Sequence, residues 1–476
     1  MINNKSIYQW LSVGIVGFAF AIRLFGLNKG IWFDEYDSMR VAFINSHFNV
    51  LRHYDHPPLY FILLKLWSLI SVKEEFLRLL SVLFGTGTVY VIMKWVKQYS
   101  RLGSLLSGLY CATLPIMLRY SQEIRDYPLF LLLTALSFLF ASYIIAETNR
   151  LSNYLALALS LSLAIATHLI GVMLLMSITL YIALSVPNLS KVRFKEFILA
   201  MVIPLIVFIF LYFLFLQGVK QNPNTWWMPH VNFRLILDVT KEVFVNWRFL
   251  AGMHKPFPIL PISTVMIIIF GFILILGSWK RSLPLFAAAL IYWFQLIIYS
   301  IFFLPIFIDR IVLPGVIPFI GFLGLQIAAI KMKKIRAIFV TILVALCTLF
   351  SLFWIKGEHK IPCERWKEIY QTLKVNWRPG DIIMIYSEHI EGIVQYYAHL
   401  TFGTYFIILK SDGMDKFINK VSGRTINVTD KHEHPTVFLI ARTDRGNYRK
   451  LLARLKSGFG QPTVFKNFGN LSLIKY

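Results

Sequence analysis

Along its first 355 positions this chain arranges its apolar residues in long unbroken runs, without the period-two alternation or amphipathic spacing of a soluble core. The runs fall at 8–27, 76–93, 102–118, 128–146, 152–168, 169–187, 197–217, 259–278, 283–303, 310–330 and 337–355. A helix of roughly 20 residues crosses a hydrocarbon core of about 30 Å, so each run is a candidate span and the pattern predicts about eleven transmembrane helices. The stretch 152–187 is nearly continuous. As one helix rising about 1.5 Å per residue it would reach about 54 Å, so a fold-back is expected near Thr167–His168 and Gly171. The first run is long, lacks a small-residue cleavage site and is followed by more runs, so it is expected to stay in the membrane rather than act as a signal peptide.

One further apolar segment, PPLYFILLKLWSLI (57–70), makes the count ambiguous, and the charges decide it. With a cytoplasmic N-terminus, alternate connections should be basic. They carry Lys94, Lys97 and Arg101, then Arg150, then Lys191, Arg193 and Lys195, then Lys280 and Arg281, then Lys331, Lys333, Lys334 and Arg336. Counting 57–70 as a span would put all five clusters on the wrong side. The segment is therefore read as a helix at the outer interface, with Lys65 snorkelling and Trp67 at headgroup level. Residues 28–75 then form one external loop with two short juxtamembrane helices.

Beyond residue 355 the pattern changes. A helical stretch, the Pro379–Gly380 turn and a β-rich run are followed by strand candidates at 404–409, 436–442 and 471–476. The expected organisation is a transmembrane catalytic domain over 1–355 and a small extracytoplasmic α/β domain over 356–476. The second holds no acidic pair or nucleophile–base arrangement. The fold class is thus a polytopic α-helical membrane protein with a C-terminal α/β domain.

Composition agrees: 57% of residues are hydrophobic and 15% charged, against about 25% charged in soluble domains. The net charge of +24 is accounted for by cytoplasmic loops and anionic lipid. Its basic residues are scattered between spans, which argues against nucleic acid as a partner. Cys111, Cys347 and Cys363 form no disulfide framework and have no zinc-ligand spacing.

In a chain with 48 basic and 24 acidic residues, a knot of acids needs a reason. The stretch GIWFDEYDSMR (30–40) puts Asp34, Glu35 and Asp37 just past the first span. Three more external features accompany it: HPPLY (56–60), RYSQEIRDYPL (119–129) and DRIVLP (309–314). Each has a bland reading. Acids suit a helix N-terminus, proline suits a first helical turn, and Arg119 and Arg125 suit lipid headgroups. His168 suits a tight turn, and Trp226–Trp227 an interfacial belt. His230 and His254 could join Glu35 or His56 around a metal, but no ligand spacing supports this.

Taken together, in this order, the motifs resemble the GT-C superfamily of integral-membrane glycosyltransferases, in particular the bacterial relatives of protein O-mannosyltransferases and of the lipid A aminoarabinose transferase. The resemblance covers roughly residues 8–330. It implies that Asp34 is the catalytic base of the first external loop and Glu35 its usual neighbour. His56 belongs to the segment leading into the second juxtamembrane helix. Glu123, Arg125 and Tyr127 match the S-x-E-x-R-x-Y pattern, and Arg310 matches a late basic residue that binds donor phosphate with Arg125. The tyrosine that often follows that arginine is here Ile311. The implied donor is a polyprenyl-phosphate sugar and the acceptor a lipid, glycan or protein. The implied reaction is inverting, with no cofactor; a divalent metal is admissible but not indicated. The implied location is the plasma or inner membrane, with the active site facing out. The chemistry is coherent, because a carboxylate can take the acceptor's proton and arginine's planar fork suits phosphate oxygens. The competing class is a transporter or flippase of lipid-linked sugars, which predicts ionisable groups near mid-membrane and inverted repeats.

Overall fold

The computed structural model describes residues 4–43, 56–146, 150–186, 193–214, 228–245, 271–357, 365–377, 382–386, 390–402, 408–409, 437–442, 464–468 and 471–475. The chain divides into two compact units, one comprising Met1–Leu27 and Ser38–His359, the other Asn28–Asp37 and Lys360–Tyr476.

The first unit is helical. Its elements are α1 (Asn4–Leu24), then α2 (Phe33–Phe43), whose first turn groups with the second unit, then α3 (Leu59–Ser68), α4 (Glu74–Val96), α5 (Arg101–Thr113), α6 (Pro115–Tyr120), α7 (Tyr127–Ile145) and α8 (Leu151–Thr167). After a 3-10 turn at Leu169–Val172 come α9 (Met173–Ser185), α10 (Phe194–Leu214), α11 (Phe233–Val245), α12 (Trp279–Phe302), α13 (Asp309–Ala329) and α14 (Lys333–Gly357). Among the described residues seven helices are long and apolar enough to cross a membrane: those within α1, α4, α7, α10, α12, α13 and α14. Most of the run 259–278 lies outside the described residues.

Local chemistry accounts for the breaks. Pro115 opens α6 and ends the run 102–118 as one helix, since proline starts helices but cannot continue them. The expected fold-back in 152–187 occurs at His168, whose extended backbone (φ −151°, ψ 125°) closes α8 and whose Nδ1 accepts from the Ile170 N–H at 3.3 Å. At Gly171 a Cβ would lie 2.9 Å from the Ile165 nitrogen, so only glycine lets the turn press this closely on α8. The helix α3 has ten residues, or about 15 Å at 1.5 Å per residue, half the hydrocarbon thickness. With α2 it supplies the two short helices expected between the first two spans.

Burial sorts the spans. In α13, 83% of the spanning window is buried and in α7 72%, against 17% in α10, so α7 and α13 form the centre and α10 presents Ile206, Phe210 and Phe213 outward. Around that centre α13 packs on α12 and α5, and α7 on α8 and α4.

The second unit contains α15 (Trp366–Asn376), β1 (Ile382–Tyr386), α16 (Glu391–Phe402), β2 (Ile408–Leu409), β3 (Val437–Arg442), β4 (Val464–Phe468) and β5 (Leu471–Lys475). The sheet order is β2-β1-β3-β5-β4, with β2, β1 and β3 parallel and β5 antiparallel to both β3 and β4. Its core is Trp366, Ile369, Leu373, Ile383, Ile385, Phe438, Ile440 and Ile474. The strand β4 was not anticipated. Its sequence VFKNF is short, and it is held at the sheet edge by β5 alone.

Candidate active site

The site is built where the chain passes from α6 to α7. Pro115 and Pro128 sit in the first turns of these helices, leaving Ser121–Asp126 as a short non-helical link. That link is buried and tied down. Gln122 Nε2 donates to the carbonyls of Arg23 and Phe25 at 2.9 and 2.6 Å, and Ser81 Oγ donates to the Glu123 carbonyl at 2.6 Å. Side chains leaving it are therefore fixed in direction.

Arg125 lies at the centre and is 5% exposed. Its Nη1 donates to Ser38 Oγ at 3.2 Å, and its Nη2 reaches Tyr127 Oη and His56 Nε2, each at 3.5 Å. Asp126 occupies the N-cap of α7 but makes no capping bond. Its carboxylate turns instead to His56, with Oδ2 at 2.9 Å from Nδ1. A carboxylate can only accept, so Nδ1 carries the proton and Nε2 offers its lone pair to the Arg125 guanidinium. His56 is thereby a neutral link between an acid and a cation. Burial alone would raise the Asp126 carboxyl, but His56, Arg125 and His168 together outweigh it and hold the group well below the usual carboxylate range.

The second expected phosphate ligand joins through an aromatic ring. The Arg125 guanidinium carbon stands 5.4 Å from the Tyr127 ring centroid and that of Arg310 5.9 Å from the same ring. Cation–π attraction, worth about 0.5–2 kcal/mol each, lets one ring hold two like charges near each other. His168 completes the cluster, edge-on to His56 at 4.8 Å and stacked on Phe130 at 5.6 Å.

Beside this lies a carboxylate-rich network. Arg119 meets Glu123 at 3.3 Å, and Glu242 and Asp309 at 3.9 Å each, while Tyr120 Oη donates to Asp309 at 3.1 Å. Glu123 therefore forms an ion pair with Arg119, and Glu242 ties α11 to α6.

Among the described residues one His/Asp/Glu/Cys trio has ligand atoms close enough for a metal ion: His56, Asp126 and His168, within 4.8 Å of one another. The hydrogen bond that occupies His56 Nδ1, and a guanidinium 3.5 Å from its other nitrogen, favour a proton over a second cation there. His230 is exposed, and His254 lies outside the described residues.

The acidic pair has a different setting. Asp34 and Glu35 stand on the first turn of α2 and group with the C-terminal unit. Asp34 is half-buried. Glu35 is fully buried, and its Oε2 accepts from the Trp32 N–H at 3.2 Å, which is one half of a capping box. Glu35 thus takes on the helix-start role that acids at this position can serve.

Of the sequence-predicted residues, His56, Arg125, Tyr127 and Arg310 come together, and Glu123 joins the neighbouring network. Sequence reasoning missed Asp126, Ser38 and Asp309. Asp126 does carry a signal, since an acid before Tyr-Pro marks a helix N-cap, but its partner is 70 residues away.

A family model described as dolichyl-phosphate-mannose-protein mannosyltransferase matches residues 55–213, a stretch that includes His56, Glu123, Arg125, Asp126, Tyr127 and His168. No curated protein sequence matches the chain. Among solved structures, ArnT from Cupriavidus metallidurans in the apo state superimposes with a TM-score of 0.59 at 11% identity, covering 99% of this chain and 98% of that one. The same protein bound to undecaprenyl phosphate gives 0.54 at 11% identity, covering 97% of each chain. The multi-pass helical unit and the small C-terminal sheet thus give this chain a fold similar to that of ArnT, and residues 55–213 match the mannosyltransferase family model.

Proposed function

We propose that this protein moves a sugar from a polyprenyl-phosphate carrier to a lipid, glycan or protein acceptor on the extracytoplasmic face of the plasma or inner membrane, with inversion at the anomeric carbon. Asp34 takes the proton of the acceptor hydroxyl as its oxygen attacks C1. The C1–O bond to phosphate breaks, and polyprenyl phosphate leaves with the bonding pair. Arg125 and Arg310 bind that phosphate and stabilise the charge it gains. His56, oriented by Asp126, aims the Arg125 fork, and no metal or cofactor enters the scheme.

The observation that carries this reading is the pair of arginines gathered on one tyrosine ring, next to a histidine–aspartate pair. Two guanidinium groups gathered on one ring suit a phosphate headgroup, and a protein of similar fold is known bound to undecaprenyl phosphate. The transporter alternative is disfavoured by charge placement. In the seven described spans every Asp, Glu, Lys and Arg lies within five residues of a helix end.

The test is transfer by the purified protein in nanodiscs, with polyprenyl-phosphate sugars as donors, beside mass spectrometry of envelope glycolipids and glycoproteins from a strain lacking the gene. Loss of one glycan substituent in the strain, and its transfer in vitro, is the expected result. Movement of intact lipid-linked sugar between leaflets without transfer would overturn the reading.

A further inference from the structure

The residues that carry the acidic pair do not fold with the spans that flank them in the chain. The segment 28–37 belongs to the C-terminal α/β unit, and several contacts hold it there. The Ile31 N–H donates to Tyr397 Oη at 2.8 Å across 366 positions of sequence, with both residues buried. Lys367 Nζ donates to the Asn28 carbonyl at 2.9 Å. The Tyr36 ring lies 6.0 Å from that of Tyr396. Asp34 is thus bracketed, three residues after one anchor and two before the other.

The anchors are themselves packed against neighbouring rings. Tyr397 sits between Tyr370, 5.7 Å away, and Tyr396, edge-on at 5.2 Å. The Tyr370 hydroxyl in turn donates to the Val394 carbonyl on α16. The same helix carries Gly392, where a Cβ would lie 2.5 Å from Tyr36 Oη, so a side chain there would displace Tyr36. Glu35 fixes the helix start from within, through its bond to the Trp32 N–H.

We propose that Tyr397, Tyr396 and Gly392 of the C-terminal domain are positioning residues for Asp34. The domain would then set the placement of the catalytic base while supplying no reacting group itself. The inference rests on the reading of Asp34 as base. Its physical basis is that proton transfer needs the carboxylate held within a fraction of an ångström of the acceptor hydroxyl, and the first turn of a short helix does not hold it so alone.

The experiment uses the full-length protein in nanodiscs with a polyprenyl-phosphate sugar. Tyr397→Phe removes one hydroxyl and keeps the ring. It should lower kcat roughly three- to tenfold, the worth of one misplaced hydrogen bond, with KM for the donor unchanged. Gly392→Ala should lower kcat by about 10²-fold, with partial recovery when combined with Tyr36→Leu. The deciding measurement is a double-mutant cycle. In an Asp34→Asn background, adding Tyr397→Phe should change the residual rate by no more than about twofold, because the group it positions is gone. Equal fold-losses in both backgrounds, or a raised KM with kcat intact, would sink this inference and leave the base assignment standing. Near wild-type turnover by Asp34→Asn alone would sink the base assignment, and this inference with it.

Discussion

His56 Nδ1 lies 2.9 Å from Asp126 Oδ2, and the opposite nitrogen of the same ring faces Arg125 Nη2 at 3.5 Å. One imidazole therefore connects a buried acid to the guanidinium proposed to bind phosphate. Removing the acid should release the other two. Asp126→Ala should cost about 1.5–3 kcal/mol of stability, as losing a buried hydrogen bond to a charged group does. It should also weaken polyprenyl-phosphate binding, since His56 loses its fixed tautomer. Thermal unfolding in detergent and a lipid-phosphate binding assay check the two effects separately.

The same carboxylate sets an acid limit. Its pKa is depressed in the folded protein, so the stabilisation it gives is complete above its unfolded value of about 3.9 and is lost as pH falls below that value. Asp126 should add no slope to stability between pH 7 and 5, and should add a loss below about pH 4. Melting curves across this range should show a shallower acid-side fall in Asp126→Asn than in the wild type. An equal fall in both would refute this account.

Tyr127 holds Arg125 and Arg310 with one ring, so its two parts should have unequal worth. Tyr127→Phe keeps the ring and should change donor affinity by no more than about threefold, whereas Tyr127→Leu removes both cation–π contacts, about 1–4 kcal/mol, and should cost roughly 5- to 10³-fold. Titration with polyprenyl phosphate distinguishes them, and equal effects would mean that the hydroxyl, not the ring, matters.

Base and phosphate ligands should separate kinetically. Asp34→Asn is nearly isosteric but cannot take a proton, so turnover should fall roughly 10²–10⁴-fold, about 3–5 kcal/mol of barrier, with donor binding kept. Arg125→Ala should cost about 2–5 kcal/mol and appear in ground-state binding as well. Measuring binding and transfer on the same preparations gives the comparison.

Leu59–Ser68 is too short to span. Cysteines introduced at positions 73–75 should therefore react with impermeant reagents in intact cells. Reaction only after permeabilisation would reverse the topology.

Much of the helical architecture was legible in the sequence, because a membrane imposes a coarse rule. Backbone polar groups in hydrocarbon must bond within their own helix, so long apolar runs announce themselves, and His168 and Gly171 mark where the longest run breaks, whereas the break at Pro115 inside the run 102–118 was not anticipated. The C-terminal strands with alternating or continuous apolar character were legible too, whereas the edge strand VFKNF was not. The sequence also singled out Arg125, Tyr127, His56 and Arg310, though not how they meet. What only the tertiary structure decided is partnership across distance. Asp126 stands two residues before a proline at the N-cap of α7, yet its carboxylate turns to His56, 70 residues earlier in the chain. Glu35 reads as half of a catalytic pair, yet it is buried and closes the first turn of its own helix. The segment 28–37 follows a membrane span, yet Ile31 bonds to Tyr397. Local pattern reports which surface a residue must hide and how its own backbone bonds are met. The choice between a cap, an ion pair and a distant hydroxyl depends on which side chains the packed helices and sheet bring within about 3 Å, and no local pattern holds that information.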